Sequence, residues 1–277
     1  INPDNILRFG GQVIGYEFQP ANAVAINAGE TIDISINSQD AVESGLFVEN
    51  ELTLNKLKLN YGVRLSNFAY LGGRNAYTFG EPEEIGRERP LVDATFIAEG
   101  ETIKDWFNFE PRFSVQYQLN STSSLKASYN RMVQYIHLLS NTTASIPLDI
   151  WTPSTNNIDP QLADQVALGY FRNFADNKYE LSVETYYKDF QNLIDYVDGA
   201  DLILNELVEG QVLNGEGRAY GLELMLKKTK GRFSGWVNYT LSRTERLVEG
   251  INNQEWYPSR FDQPHNFNLT AFYELSK

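Results

Sequence analysis

Residues 55–68 read "NKLKLNYGVRLSNF", and from Leu57 to Ser66 the run alternates without a break. Leu57, Leu59, Tyr61, Val63 and Leu65 fall on one side; Lys58, Asn60, Gly62, Arg64 and Ser66 fall on the other. Successive side chains of an extended chain point to opposite faces, so the pattern predicts a strand with one apolar and one polar face. "FSVQYQL" at 113–119 and "YELSVETYYK" at 179–188 repeat it, as do 220–227, 233–242 and 267–275. Several of these runs reach ten or more residues. Globular strands are typically about 5–6 residues long, whereas a membrane-spanning strand needs about 9–11.

The connections carry a second period. "NK" at 55–56, "NSTS" at 120–123, "ADN" at 175–177 and "KG" at 230–231 suit tight hairpin turns. Between them lie long connections at about 19–42, 71–104, 139–160, 197–213 and 247–261. Short and long links alternate throughout. A sandwich has no need of that order, but an outer-membrane barrel does, with short periplasmic turns and long extracellular loops. The fold class expected is all-β: an antiparallel transmembrane β-barrel section of about ten long strands, both chain ends on the short-turn side. The apolar row is Leu, Val, Phe and Tyr with almost no charge. The opposite row holds Arg64, Arg112, Lys126, Glu180, Glu184, Glu223, Asn238 and Thr240.

Composition agrees. The chain has 277 residues, 13% of them aromatic, no cysteine and a net charge of −13. Such acidity excludes non-specific nucleic-acid binding, which needs a basic footprint. Without cysteine there are no disulfides or thiolate metal sites. Mean hydropathy is −0.38, as suits a barrel in which only alternate residues meet lipid.

The stretch "IPLDIWTPSTNNIDPQLADQVALGYF" at 146–171 resembles the barrel domain of TonB-dependent outer-membrane receptors. It is most similar to the Bacteroidetes branch that often carries a carboxypeptidase-like regulatory domain. "YELSVETYYKDFQNLIDY", "NGEGRAYGLELMLKK", "GWVNYTLSRT" and "DQPHNFNLTAFYEL" follow in the same order, and 55–68 fits an earlier strand. The resemblance implies a barrel of about 22 strands, plugged by an N-terminal domain, that imports nutrients with energy from TonB. It implies that residues 1–277 are an internal section of that barrel, without plug domain, TonB box or final strands, and with two open edges. The partners it implies are the TonB complex through the plug, outer-membrane lipid, a surface lipoprotein, and a small-molecule, glycan or peptide ligand. No enzyme activity and no cofactor are expected. Two readings from other classes stay open at this point: a secreted all-β glycan-binding module and a small outer-membrane barrel enzyme.

Asp262 and His265 suggest a catalytic fragment, but no G-x-S-x-G elbow occurs, and the pair reads as the start of a strand. His137 in "YIHLL" reads as a loop-base contact, and two isolated histidines do not make a metal site. "GEGRAYG" at 215–221 opens a strand rather than a helix, so it is not a dinucleotide fingerprint. Inward Glu180, Glu184 and Glu223 suit a wet wall better than a glycosidase pair. The sequons at Asn120, Asn141, Asn238 and Asn268 read as incidental, two lying within strands. The long loops offer the substrate-binding candidates: Arg74 and Tyr77 in "GGRNAY", Trp151 in "DIWTPS", and Trp256 and Tyr257 in "QEWYPSR". Aromatic faces stack on apolar or sugar ligands and guanidinium reads carboxylates; interfacial anchoring competes for the same aromatics.

Overall fold

The structure is a computed structural model that describes residues 4–19, 22–27, 30–140, 149–202 and 204–276. Asn141 and the first three residues of the 146–171 motif lie outside that range. In chain order the strands are β1 (Asn5–Phe18), β2 (Asn22–Asn27), β3 (Glu30–Ser35), β4 (Gln39–Leu54), β5 (Leu57–Leu71) and β6 (Arg74–Phe79). Then come β7 (Leu91–Ile97), β8 (Thr102–Asn120), β9 (Ser123–Gln134), β10 (Ile136–Ser140), β11 (Asp149–Pro153) and β12 (Gln161–Phe174). The last are β13 (Tyr179–Tyr196), β14 (Val212–Lys228), β15 (Phe233–Val248), β16 (Tyr257–Pro258) and β17 (His265–Tyr273).

One eleven-stranded sheet runs β1-β4-β5-β8-β9-β12-β13-β14-β15, with β16 and β17 both on β15. Every ladder is antiparallel. Ten of the strands are long, from nine residues in β17 to nineteen in β8, and β16 has two. Strands β1 and β17 are the edges, and no ladder joins them among the described residues. Among the described residues the wall therefore has two unpaired edges.

The four tight turns stand where the sequence put them. Asn55 takes the left-handed conformation at φ 50°, Asp176 and Asn177 do so at 56° and 59°, and Gly231 sits at φ 104°. Asn, Asp and Gly tolerate that region best, which is why these residues carry the reversals. The long connections are less plain than expected. Three contain hairpins of their own: β2–β3, β6–β7 and β10–β11.

Register turns the alternation of each strand into two continuous faces. Phe9, Val48, Val63 and Pro111 stand side by side across four strands. Tyr170, Val183, Leu224, Tyr239 and Phe267 do so across the other half. This row is open: Phe9 is 75% exposed and Phe107 71%. On the opposite row Phe68 is 0% and Ser66 1% exposed. A curved sheet crowds its concave side, so the apolar row is the convex exterior and the polar row lines the interior. The exterior of a membrane barrel meets lipid, which accepts exposed Phe, Leu and Val where water does not.

The exterior has an upper limit. Asp164 lies ten residues along β12 from the turn end at Phe174, and Arg218 ten residues along β14 from Lys228. At about 3.3 Å per residue and a tilt near 45°, that is about 23 Å, close to the height of an apolar band. At this level the exterior row does carry charge, much of it paired. Arg131 grips Asp164 at 2.7 and 2.9 Å, and Tyr129 donates to the same carboxylate at 2.7 Å. Arg218 meets Glu245 at 2.8 Å, and Arg243 meets Asp262 at 2.9 Å.

Candidate functional site: the inner wall and the outer loops

The inner face of β4, β5 and β8 carries a connected polar lattice. Arg64 pairs with Glu43 at 2.7 Å and with Glu110 at 3.3 Å. Ser66 Oγ gives its only proton to Glu110 at 2.8 Å, so the Tyr135 hydroxyl, 2.8 Å away, donates to Ser66. Asn108 in turn donates to Tyr135 at 2.9 Å, and Tyr16 donates to Glu43 at 2.9 Å. Below the lattice is a basin of about 390 Å³ lined by Arg8, Glu49, Glu51, Asn60, Arg64 and Arg112. Phe68 and Tyr135 stack above it at 4.8 Å and, with Ala41, form a small inner core. Glu184 and Glu223 stand directly opposite each other on the inner row, and Glu180 is paired with Lys227 at 3.3 Å.

The outer loops pack on one another rather than standing free. Asn156 and Asn157 both donate to the Tyr77 carbonyl, at 2.8 and 2.9 Å. Asn157 also donates to the Glu209 carboxylate at 2.5 Å. Arg89 donates from its side chain to the Glu209 carbonyl at 2.7 Å and from its backbone to the Gly210 carbonyl at 2.8 Å. A Cβ on Gly210 would lie 2.6 Å from the Phe79 ring, so any larger residue there would have to displace that ring. These contacts tie described parts of the three connections, 72–101, 149–160 and 204–211, into one body. Burial pushes the Glu209 carboxyl above the usual range, opposed by hydrogen bonds from Asn157 and Thr155 and by the charges of Arg74 and Arg89. Burial lowers Arg89 and raises the Tyr77 hydroxyl, the negative charge of Glu206 adding to the latter.

The two histidines have structural partners. His265 Nδ1 lies 2.8 Å from the Tyr239 hydroxyl, while Asp262 is engaged by Arg243 and the Thr244 amide. Asp262 and His265 therefore do not form a dyad. His137 is fully buried, with Nε2 2.9 Å from Ser154 Oγ. Burial depresses its pKa from 6.5 to about 4. A base with a depressed folded pKa is stabilising above its unfolded pKa, and that stability is lost as pH falls toward the folded value. Acidification from about 6.5 to 4 should thus open the β10–β11 hairpin, with a linkage of about 3 kcal/mol. Hydrogen exchange at 136–140 and 149–153 should accelerate over that window. In His137→Gln the acceleration should be absent; an identical pH profile in the variant would refute the assignment.

The sequence candidates fall into two groups. Arg74 (5% exposed) and Tyr77 (8%) lie within the packed loop body, and Trp151 lies on it, 56% exposed. Trp256 and Tyr257 stand instead beside β15. Trp256 lies over the Arg218 guanidinium at 4.2 Å, on the exterior charged row. Tyr257 pairs with Arg246, which reaches Asp195 at 3.0 Å. Glu209, Arg89 and Asn157 had no sequence signal beyond their polarity.

No curated protein matches the sequence. The family described as "TonB dependent receptor-like, beta-barrel" matches residues 2–276. Among solved structures, the FrpB iron transporter of Neisseria meningitidis superposes with a TM-score of 0.62 at 12% identity, covering 98% of this chain and 38% of that one. The ferric-catecholate import receptor Fiu of K12 E. coli gives 0.61 at 14% identity, covering 98% and 40%. The copper transporter OprC gives 0.59 at 15% identity, covering 87% and 37%. At such identities these likenesses speak for the fold. The chain spans about two fifths of the length of each. These neighbours are described as transporters and a receptor, not as enzymes.

Proposed function

This chain belongs to the TonB-dependent receptor β-barrel family, and from that premise we propose that it supplies wall and ligand-capturing outer loops to an active importer. Its place is the outer membrane of a Gram-negative bacterium. The observation that carries the proposal is the pair of continuous faces: an exterior fit for lipid and an interior of charges and amides fit for water or a plug. In this reading TonB acts through a plug domain outside residues 1–277, and the wall stays still while the plug moves. Outer-membrane lipid covers the convex row, and a surface lipoprotein is a further partner over the loops.

The vestibule is the loop body that bears Trp151, with Arg74 and Tyr77 beneath it. We place Trp256 in the interfacial girdle, because it stacks on a guanidinium of the exterior row. Tyr257 belongs with Arg246 beside β15 and is the weaker ligand candidate.

Uptake by cells carrying the full-length receptor tests this. Ferric siderophores, vitamin conjugates, oligosaccharides and peptides are offered as a panel, with and without functional TonB. One class should accumulate only when both receptor and TonB are present. Trp151→Ala should weaken its uptake by about tenfold, the worth of one stacking contact, while Trp256→Phe should not. Accumulation that ignores TonB, or a receptor that imports none of the four classes, would overturn the proposal.

A further inference from the structure

The outer loops hold a buried guanidinium, Arg74, that feels the charge of Glu209 but makes no ion pair with a carboxylate among the described residues. Arg74 is 5% exposed, and its Nε and Nη1 are buried without a hydrogen-bond partner among the described residues. Its cationic contact is the Tyr70 ring at 5.8 Å. A buried charge left in this state is costly unless something pairs with it. Gln39 presents a buried amide oxygen that is likewise unsatisfied. Both residues line one cavity of about 50 Å³, together with Trp151, Thr152, Glu206 and Glu209. A single water needs about 10–15 Å³, so the space admits a group of a few heavy atoms and no whole ligand.

We propose that this cavity is a subsite for the carboxylate end of an organic-acid ligand. The carboxylate accepts a charge-assisted hydrogen bond from one of the unpartnered Arg74 nitrogens. A hydroxyl or amine hydrogen next to the carboxylate is given to Gln39. The body of the ligand leaves along Trp151, the exposed wall of the cavity. Of the two carboxylates on the cavity wall, Glu209 is already bonded to Asn157, and Glu206 is exposed. Both carboxylates oppose anion entry, Glu209 from the buried side and Glu206 from the exposed side. The proposal rests on the vestibule reading and names the ligand chemistry that reading leaves open.

Sodium lactate is the probe, since it carries a carboxylate beside a hydroxyl. It is titrated into the full-length receptor in detergent while tryptophan emission is followed, with sodium chloride at equal ionic strength as control. A saturable change is expected with lactate alone, and it should vanish in Trp151→Phe, which identifies the reporter. Arg74→Gln should raise the apparent Kd at least tenfold, and Glu206→Gln should lower it. If Arg74→Gln disturbs the β6–β7 hairpin by hydrogen exchange, Gln39→Met replaces it and should also weaken binding. An equal response to chloride, or lactate binding indifferent to these changes, overturns the subsite. Should uptake depend on Trp151 while lactate never binds, the vestibule stands and the carboxylate assignment falls. Lactate binding as expected with uptake indifferent to Trp151 would sink the vestibule instead.

Discussion

Leu224→Arg is expected to cost the folded wall about 2–4 kcal/mol, the penalty for a cation on the lipid face near the bilayer midplane. Leu224 lies between Val183 and Tyr239 on the exterior row. It is four residues from Tyr220 and four from Lys228, midway up the apolar band. Snorkelling is no remedy from there, because the side chain is short of both surfaces. The matching change on the interior row is Thr240→Arg. Thr240 sits beside Glu223 and Asn266, so a cation there gains a carboxylate neighbour and should shift stability by less than about 1 kcal/mol. Reversible unfolding of the full receptor in lipid vesicles measures both. Equal costs at the two positions would mean that the faces have been assigned wrongly.

Glu209→Ala should release the loop body at a cost of about 3–5 kcal/mol, because it strips the carboxylate from a buried site shared with Arg89 and Arg74. Asn157 loses its 2.5 Å acceptor at the same time. Glu209→Gln keeps the shape and one acceptor and should cost clearly less. The signature is local: hydrogen exchange should rise at 74–79, 89–97 and 153–158 and stay native in β13–β15. Faster exchange along the whole wall, or none in the loops, would show that the buried carboxylate does not hold them together.

These two sites differ in how far the sequence betrayed them. Leu224 was legible because period two survives wherever one face is buried in lipid and the other is wet; a slip of one residue would invert it. "LKLNYGVRLS" keeps in β5 the faces it shows in print, and Phe267, Leu269 and Ala271 keep theirs in β17. The tight turns were legible because left-handed backbone selects Asn, Asp and Gly. Glu209 was not legible. Its burial comes from three connections meeting, a non-local fact that leaves no periodic trace in "VEGQVL". The hairpins inside the long connections were missed for a similar reason: β6 and β7 are short and their partners are set by loop packing. The paired charges at Arg131, Asp164, Arg218 and Glu245 also escaped, since alternation alone does not say where the lipid ends. Asn192 adds a bulge, at φ 57°, that shifts the register between Phe190 and Leu193, and no local motif announces it. The loop candidates were chosen by residue type, and residue type does not separate Trp151, exposed on the loop body, from Trp256, stacked on a rim arginine.

The central claim is that one row of each long strand meets lipid and the next meets the interior. This chain contains no cysteine, so single cysteines carrying nitroxide labels can be placed along β14 from Gly221 to Leu226 in the full receptor, with any cysteine outside residues 1–277 first replaced by serine. Collision rates with oxygen and with a water-soluble nickel chelate are then compared in lipid bilayers. Labels at 222, 224 and 226 should collide with oxygen and be shielded from nickel, while labels at 221, 223 and 225 should lose the oxygen response. The same response at all six positions, or alternation in the opposite phase, would contradict the account.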